Sequence, residues 1–179
     1  MKIELTEGCY FREGKYFSKH FDKELAVYAD LDESMTEEYV GRCADAVEHF
    51  SDEMTDTINE AAKRYALDTI AGYMEDEGED FSFEEYDLPE ITEDTPAGDM
   101  PEYFRFKELI VNKPKQEGQL YFRLCGGCDW ENEHGFEAAF QDGTLVYLGA
   151  FCEAVPGRLD YFVSGKGREF NYAITGVCS

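Results

Sequence analysis

Alternating and helical spacings of apolar residues divide the chain into blocks. Residues 3–5 read as a short strand, 8–14 as a glycine-bounded turn, and 24–31, Glu-Leu-Ala-Val-Tyr-Ala-Asp-Leu, as a strand paired with the first. Beyond them the spacing lengthens. Tyr39, Val40, Cys43, Val47 and Phe50 recur at three and four residues, followed by Met54, Ile58, Ala61, Ala62, Tyr65 and Thr69. Ser34 and Glu37 stand at capping-box spacing, and Ser51-Asp52 offers a second cap. The pattern predicts two amphipathic helices, about 35–50 and 52–76, broken near Ser51. A single helix of about 40 residues would be unusual in a domain of this size. Glu75-Asp76-Glu77 opposes the helix macrodipole and predicts a frayed end.

Residues 77–101 form a long acidic connection with three prolines, in which Phe81, Phe83, Tyr86 and Leu88 interleave with carboxylates. Loops of this length are often functional or disordered, and the aromatic spacing predicts that part of it docks on the body. Strands follow at 104–111, 119–125, 135–140 and 144–149. The last two are joined by Gln141-Asp142-Gly143, a strong hairpin signal. Residues 159–163 and 170–174 are expected as edge strands. The whole predicts an α+β fold, an antiparallel β-meander packed against two amphipathic helices. One domain over 1–179 is expected: an acidic helical part at about 30–76, the acidic loop 77–101 and a β-rich part 102–179.

Charge sharpens this picture. The net charge is -24 over 179 residues. From Asp30 to Glu102 there are 25 Asp and Glu against only Arg42, Lys63 and Arg64, so one stretch carries nearly all of the imbalance. Such a field repels phosphates, which disfavours nucleic acid and anionic membranes. It attracts a basic protein, and it also keeps a surface soluble. Residues 1–5 form no apolar leader, and no stretch approaches the roughly 18 apolar residues of a membrane span. A cytoplasmic protein is expected, with its six cysteines as mostly reduced thiols.

Candidate chemistry is sparse. Cys125-Gly126-Gly127-Cys128 has the spacing of a redox pair or half a zinc site, with His134 and Cys152 as further donors. No helical pattern follows to lower a thiol pKa. The plain alternative is a glycine-bearing bend between strands. Asp129, Glu131, Glu133 and His134 form a polar cluster beside Trp130, compatible with acid–base work or with a capped turn. There is no P-loop, dinucleotide fingerprint or nucleophile elbow, so no catalytic residue and no cofactor is expected.

The run from Cys128 to Gly135, with Phe140-Gln141-Asp142-Gly143 and Leu148-Gly149, resembles a bacterial family of unknown function. That family carries an acidic-Trp-x-x-x-His-Gly turn and an Asp/Asn-Gly hairpin. Its signature positions here are Asp129, Trp130, His134, Gly135, Asp142 and Gly143. The likeness covers residues 24–151 and implies kinship with immunity or accessory proteins of toxin systems. It implies folding roles for the signature, with Trp130 at the sheet edge or beside the hairpin. The expected function is a non-enzymatic acidic binding protein, an immunity-type inhibitor of a basic partner. Its candidate interface is Phe81, Phe83, Glu84, Glu85, Tyr86 and Asp87. The alternatives are a metal-binding or redox protein using Cys125, Cys128 and His134, and a structural accessory domain.

Overall fold

In the computed structural model, which describes residues 1–174, seven strands form one sheet in sequence order. They are β1 (Thr6–Glu7), β2 (Phe11–Ser18), β3 (Lys23–Asp30), β4 (Phe104–Val111), β5 (Tyr121–Cys128), β6 (Glu131–Gln141) and β7 (Thr144–Ala150). Every neighbouring pair is antiparallel except β3 and β4, which run parallel with Ala26 opposite Glu108. Parallel neighbours need a crossover. The chain makes it through α1 (Glu37–Glu48) and α2 (Asp52–Glu77), which thereby lie on one face of the sheet. The expected meander therefore holds, interrupted once by the helical crossover.

Period-2 alternation sends two sets of side chains to the two faces. Leu25 and Val27 of β3, Leu109 of β4, Phe122 and Leu124 of β5, and Phe136 of β6 meet Val40 and Val47 of α1 and Ile58, Ala62 and Tyr65 of α2 in the main core. Tyr121, Ala139 and Tyr147 face the other way. There they are covered by Ala154, Leu159 and Phe162 of the segment after β7. That segment contains a further helix, α3 (Leu159–Val163).

Several expectations need correction. Residues 3–5 lie outside any strand, and the strand at Lys23–Asp30 pairs with β2 and β4 instead. Residues 11–14, expected within a turn, belong to β2. Gly14 serves close approach rather than a bend, since a Cβ there would lie 2.6 Å from the Glu4 carbonyl oxygen. The cap of α1 is Thr36, whose side chain accepts the Tyr39 N–H, while Ser34 bonds Asp32 instead. The helix thus starts two residues late, after Met35 has been buried. The α2 helix runs through its acidic end to Glu77 and is closed by Gly78 at φ 58°, whose N–H donates to the Met74 carbonyl. Finally, residues 159–163 are helical, and residues 170–174 form no strand, although the Tyr172 N–H donates to Leu148 O at 2.9 Å beside β7. Pro156 and Gly157 open a tight turn that carries the chain over the sheet face, so the apolar residues there pack as one helical turn.

Candidate functional site

The most pronounced surface feature is the outer side of the crossover. Of the 25 carboxylates from Asp30 to Glu102, 20 are exposed and none is buried. The helix geometry explains this. The apolar residues of α2 occupy the stripe facing the sheet, which leaves Asp52, Glu53, Asp56 and Glu60 to water, while Asp68 accepts the Tyr172 hydroxyl. Lys63 donates to the Glu93 carbonyl at 2.6 Å, and Arg64 donates to the Tyr172 carbonyl at 2.7 and 3.1 Å. Among the described residues, no carboxylate from Glu48 to Glu102 makes an ion pair. Asp32, with Lys113 at 2.9 Å, and Asp45, with the N-terminus, are the paired ones in the stretch.

The segment 81–88 docks as its spacing predicts. The Phe81 ring stacks on Tyr86 at 6.0 Å and meets Phe83 edge-on at 5.0 Å, while Tyr86 lies 5.5 Å from Tyr73 of α2. Phe81 and Phe83 are half-buried against the main core. A hydrogen bond to Glu77 raises the Tyr86 hydroxyl pKa above its ordinary value. Glu84, Glu85 and Asp87 point to solvent. The six candidate interface residues are thus together, but the rings pack against the protein and the carboxylates face outward.

The Cys-Gly-Gly-Cys run is strand rather than bend, and forms the end of β5. A spacing of three in a strand puts two side chains on opposite faces. Cys128 belongs to the main core, and Cys125 lies on the other side with Arg123 and Glu137. Burial pushes the Cys128 thiol up to about 12 and the Cys125 thiol up as well. His134 is exposed near the start of β6, with its ring nitrogen 3.3 Å from Glu131. The Glu131 carboxylate accepts the N–H groups of Glu133 and His134 at 2.8 and 3.2 Å. Burial raises its pKa, but these bonds outweigh it and the net shift is downward. Among the described residues, no three His, Cys, Asp or Glu side chains converge as metal ligands would.

The rest of the signature is structural in its contacts. Trp130 is fully buried in the core, edge-on to Tyr65 at 5.7 Å and to Phe136 of β6 at 5.8 Å; of the two positions expected for it, this is the one beside the hairpin rather than the sheet edge. Asp129 accepts from Arg105 at 2.8 Å. Gly135 has φ 74°, and a Cβ on it would lie 2.9 Å from the Gly126 carbonyl oxygen. Asp142 and Gly143 both have positive φ, as a tight hairpin requires.

One constellation escaped sequence reasoning. Arg123 (4% exposed) and Glu137 (0%) form an ion pair at 2.7 Å beneath the segment after β7. Glu137 also accepts the N–H groups of Cys152 and Ala154 at 2.8 and 3.0 Å. Arg123 reaches Asn112 at 2.8 Å, and Asn112 in turn reaches Asp30 at 3.0 Å. The available signal was one charge of each sign inside the apolar runs of β5 and β6. Its partners are all supplied by the protein, which makes it a fastening for the C-terminal segment.

No helix is long and apolar enough to cross a membrane. A family model described as a domain of unknown function (DUF6985) matches residues 2–155. No curated protein and no solved structure matches the chain.

Proposed function

For a chain that belongs to the DUF6985 family of domains of unknown function, we propose a non-enzymatic role: binding a basic protein through the acidic outer side of α2 and the segment 78–102. The observation that carries this is the set of exposed carboxylates that have no ion-pair partner there among the described residues. Ion-paired carboxylates present little field, whereas unpaired ones steer an oppositely charged partner and raise its on-rate at low salt. The docked ring cluster of Phe81, Phe83 and Tyr86 holds Glu84, Glu85 and Asp87 on a fixed backbone, which lowers the ordering cost of binding. The buried thiols of Cys125 and Cys128 and the exposed His134 lend no comparable support to a metal or redox role. Within this reading, an immunity-type inhibitor of a basic toxin in a bacterial cytoplasm is the form that the sequence resemblance favours.

The test is capture from native lysate at low salt, run in parallel with the intact chain and with Glu53→Lys/Asp56→Lys/Glu60→Lys, all exposed on α2. A basic protein held stoichiometrically by the first and lost by the second is the expected result. Its on-rate should fall steeply as salt rises. Equal capture by both chains, or a salt-independent on-rate, would remove the acidic face from the interface.

A further inference from the structure

Between α2, the end of β7 and the segment that follows it lies a cavity of about 290 Å³. Tyr65, Tyr147, Phe162 and Tyr172 wall it, and Tyr161 and Phe170 line it while remaining 46% and 55% exposed. Its rings come from three separate parts of the chain, so the fold itself assembles the hollow. Its volume falls just below the roughly 300–1,000 Å³ typical of small-ligand pockets. That suits one ring system rather than a cofactor.

Two polar features select among rings. Tyr65 is 5% exposed, and its hydroxyl has no hydrogen-bond partner among the described residues. A buried hydroxyl in that state is unfavourable until something supplies a partner. Among the described residues, Arg158 is the one formally charged side chain lining the cavity. Its Nη1 donates to the Cys152 carbonyl at 2.7 Å, and its guanidinium stands 5.5 Å over the Phe162 ring. These contacts hold the guanidinium beside the cavity and leave further N–H donors for an anion.

We propose that this cavity is a binding site for a small aromatic acid, its ring among Tyr65, Tyr147 and Phe162 and its anionic group toward Arg158. The site is independent of the acidic helical face and of the protein partner proposed for it.

Trp130 is the chain's only tryptophan and lies edge-on to Tyr65 at 5.7 Å. Its indole N–H therefore gives a single NMR resonance next to the cavity wall. Phenylacetate is titrated into the full ¹⁵N-labelled chain, with benzylamine and cyclohexylacetate in parallel. The expected result is a saturable shift with phenylacetate and much weaker binding of the other two. Arg158→Gln should weaken phenylacetate roughly two- to fivefold, as befits an exposed charge. Tyr161→Ala and Phe170→Ala, both at exposed positions, should each weaken it roughly three- to tenfold. Absence of a saturable shift overturns the site. Benzylamine binding as tightly as phenylacetate overturns the role of Arg158, and unchanged binding by both rim variants places the ligand elsewhere.

Discussion

At the scale of single residues, the pair Arg123–Glu137 shows how context decides what a charge does. An isolated buried carboxylate would be strongly unfavourable. Glu137 is stable at 0% exposure because a guanidinium and two backbone N–H groups converge on it. Removing it leaves Arg123 buried without its counter-ion and two N–H groups without an acceptor. Glu137→Ala should therefore cost about 3–5 kcal/mol, measured as a drop in the urea midpoint. Replacing both partners by apolar residues should cost less than either single removal, because no lone buried charge remains. A cost under about 1 kcal/mol for Glu137→Ala would mean the network is open to water. The sequence showed both charges inside strands, but not that they face each other, since pairing across strands depends on register.

At the scale of elements, β5 owes its position to one glycine and not to its neighbour. A Cβ on Gly126 would come within 1.8 Å of the Arg105 carbonyl oxygen, whereas one on Gly127 would meet nothing within 4 Å. Gly126→Ala must push β4 and β5 apart and should cost about 2–3 kcal/mol. Gly127→Ala should stay within about 0.5 kcal/mol of the natural chain. Equilibrium denaturation of the two variants side by side checks this, and equal effects would contradict the strand register. In sequence these adjacent glycines are indistinguishable, and together they suggested a bend. The helices were far more legible. Their 3.6-residue pattern and the Ser51 cap, which accepts the Met54 N–H at 3.1 Å, are local properties.

At the scale of the molecule, burial of thiols couples stability to alkaline pH. Burial pushes Cys43 and Cys128 from 9.0 to about 12, and Cys152 to about 11. The unfolded chain releases these protons near pH 9, while the folded one keeps them until about pH 11–12. The unfolded state then binds fewer protons, so stability falls with pH. This contribution is fully present below pH 9 and is lost as pH rises through the folded values. The urea midpoint should hold between pH 7 and 8.5 and decline above 9. A midpoint unchanged at pH 10.5 would show the thiols to be freely ionised in the fold.

The amino-acid sequence alone determined the two helices, the strands of the β-rich half, the Asp142-Gly143 hairpin and the concentration of charge. All follow from local periodicity, turn chemistry or counting. Tertiary structure decided the parallel join of β3 to β4, the strand identity of residues 11–14 and the helical turn at 159–163. It also separated Cys125 from Cys128, turned the rings of 81–86 inward, buried Trp130 and assembled the aromatic cavity. Each of these depends on which residues distant in sequence meet, because a side chain's face, burial and partners are set by packing across the sheet rather than by its neighbours along the chain.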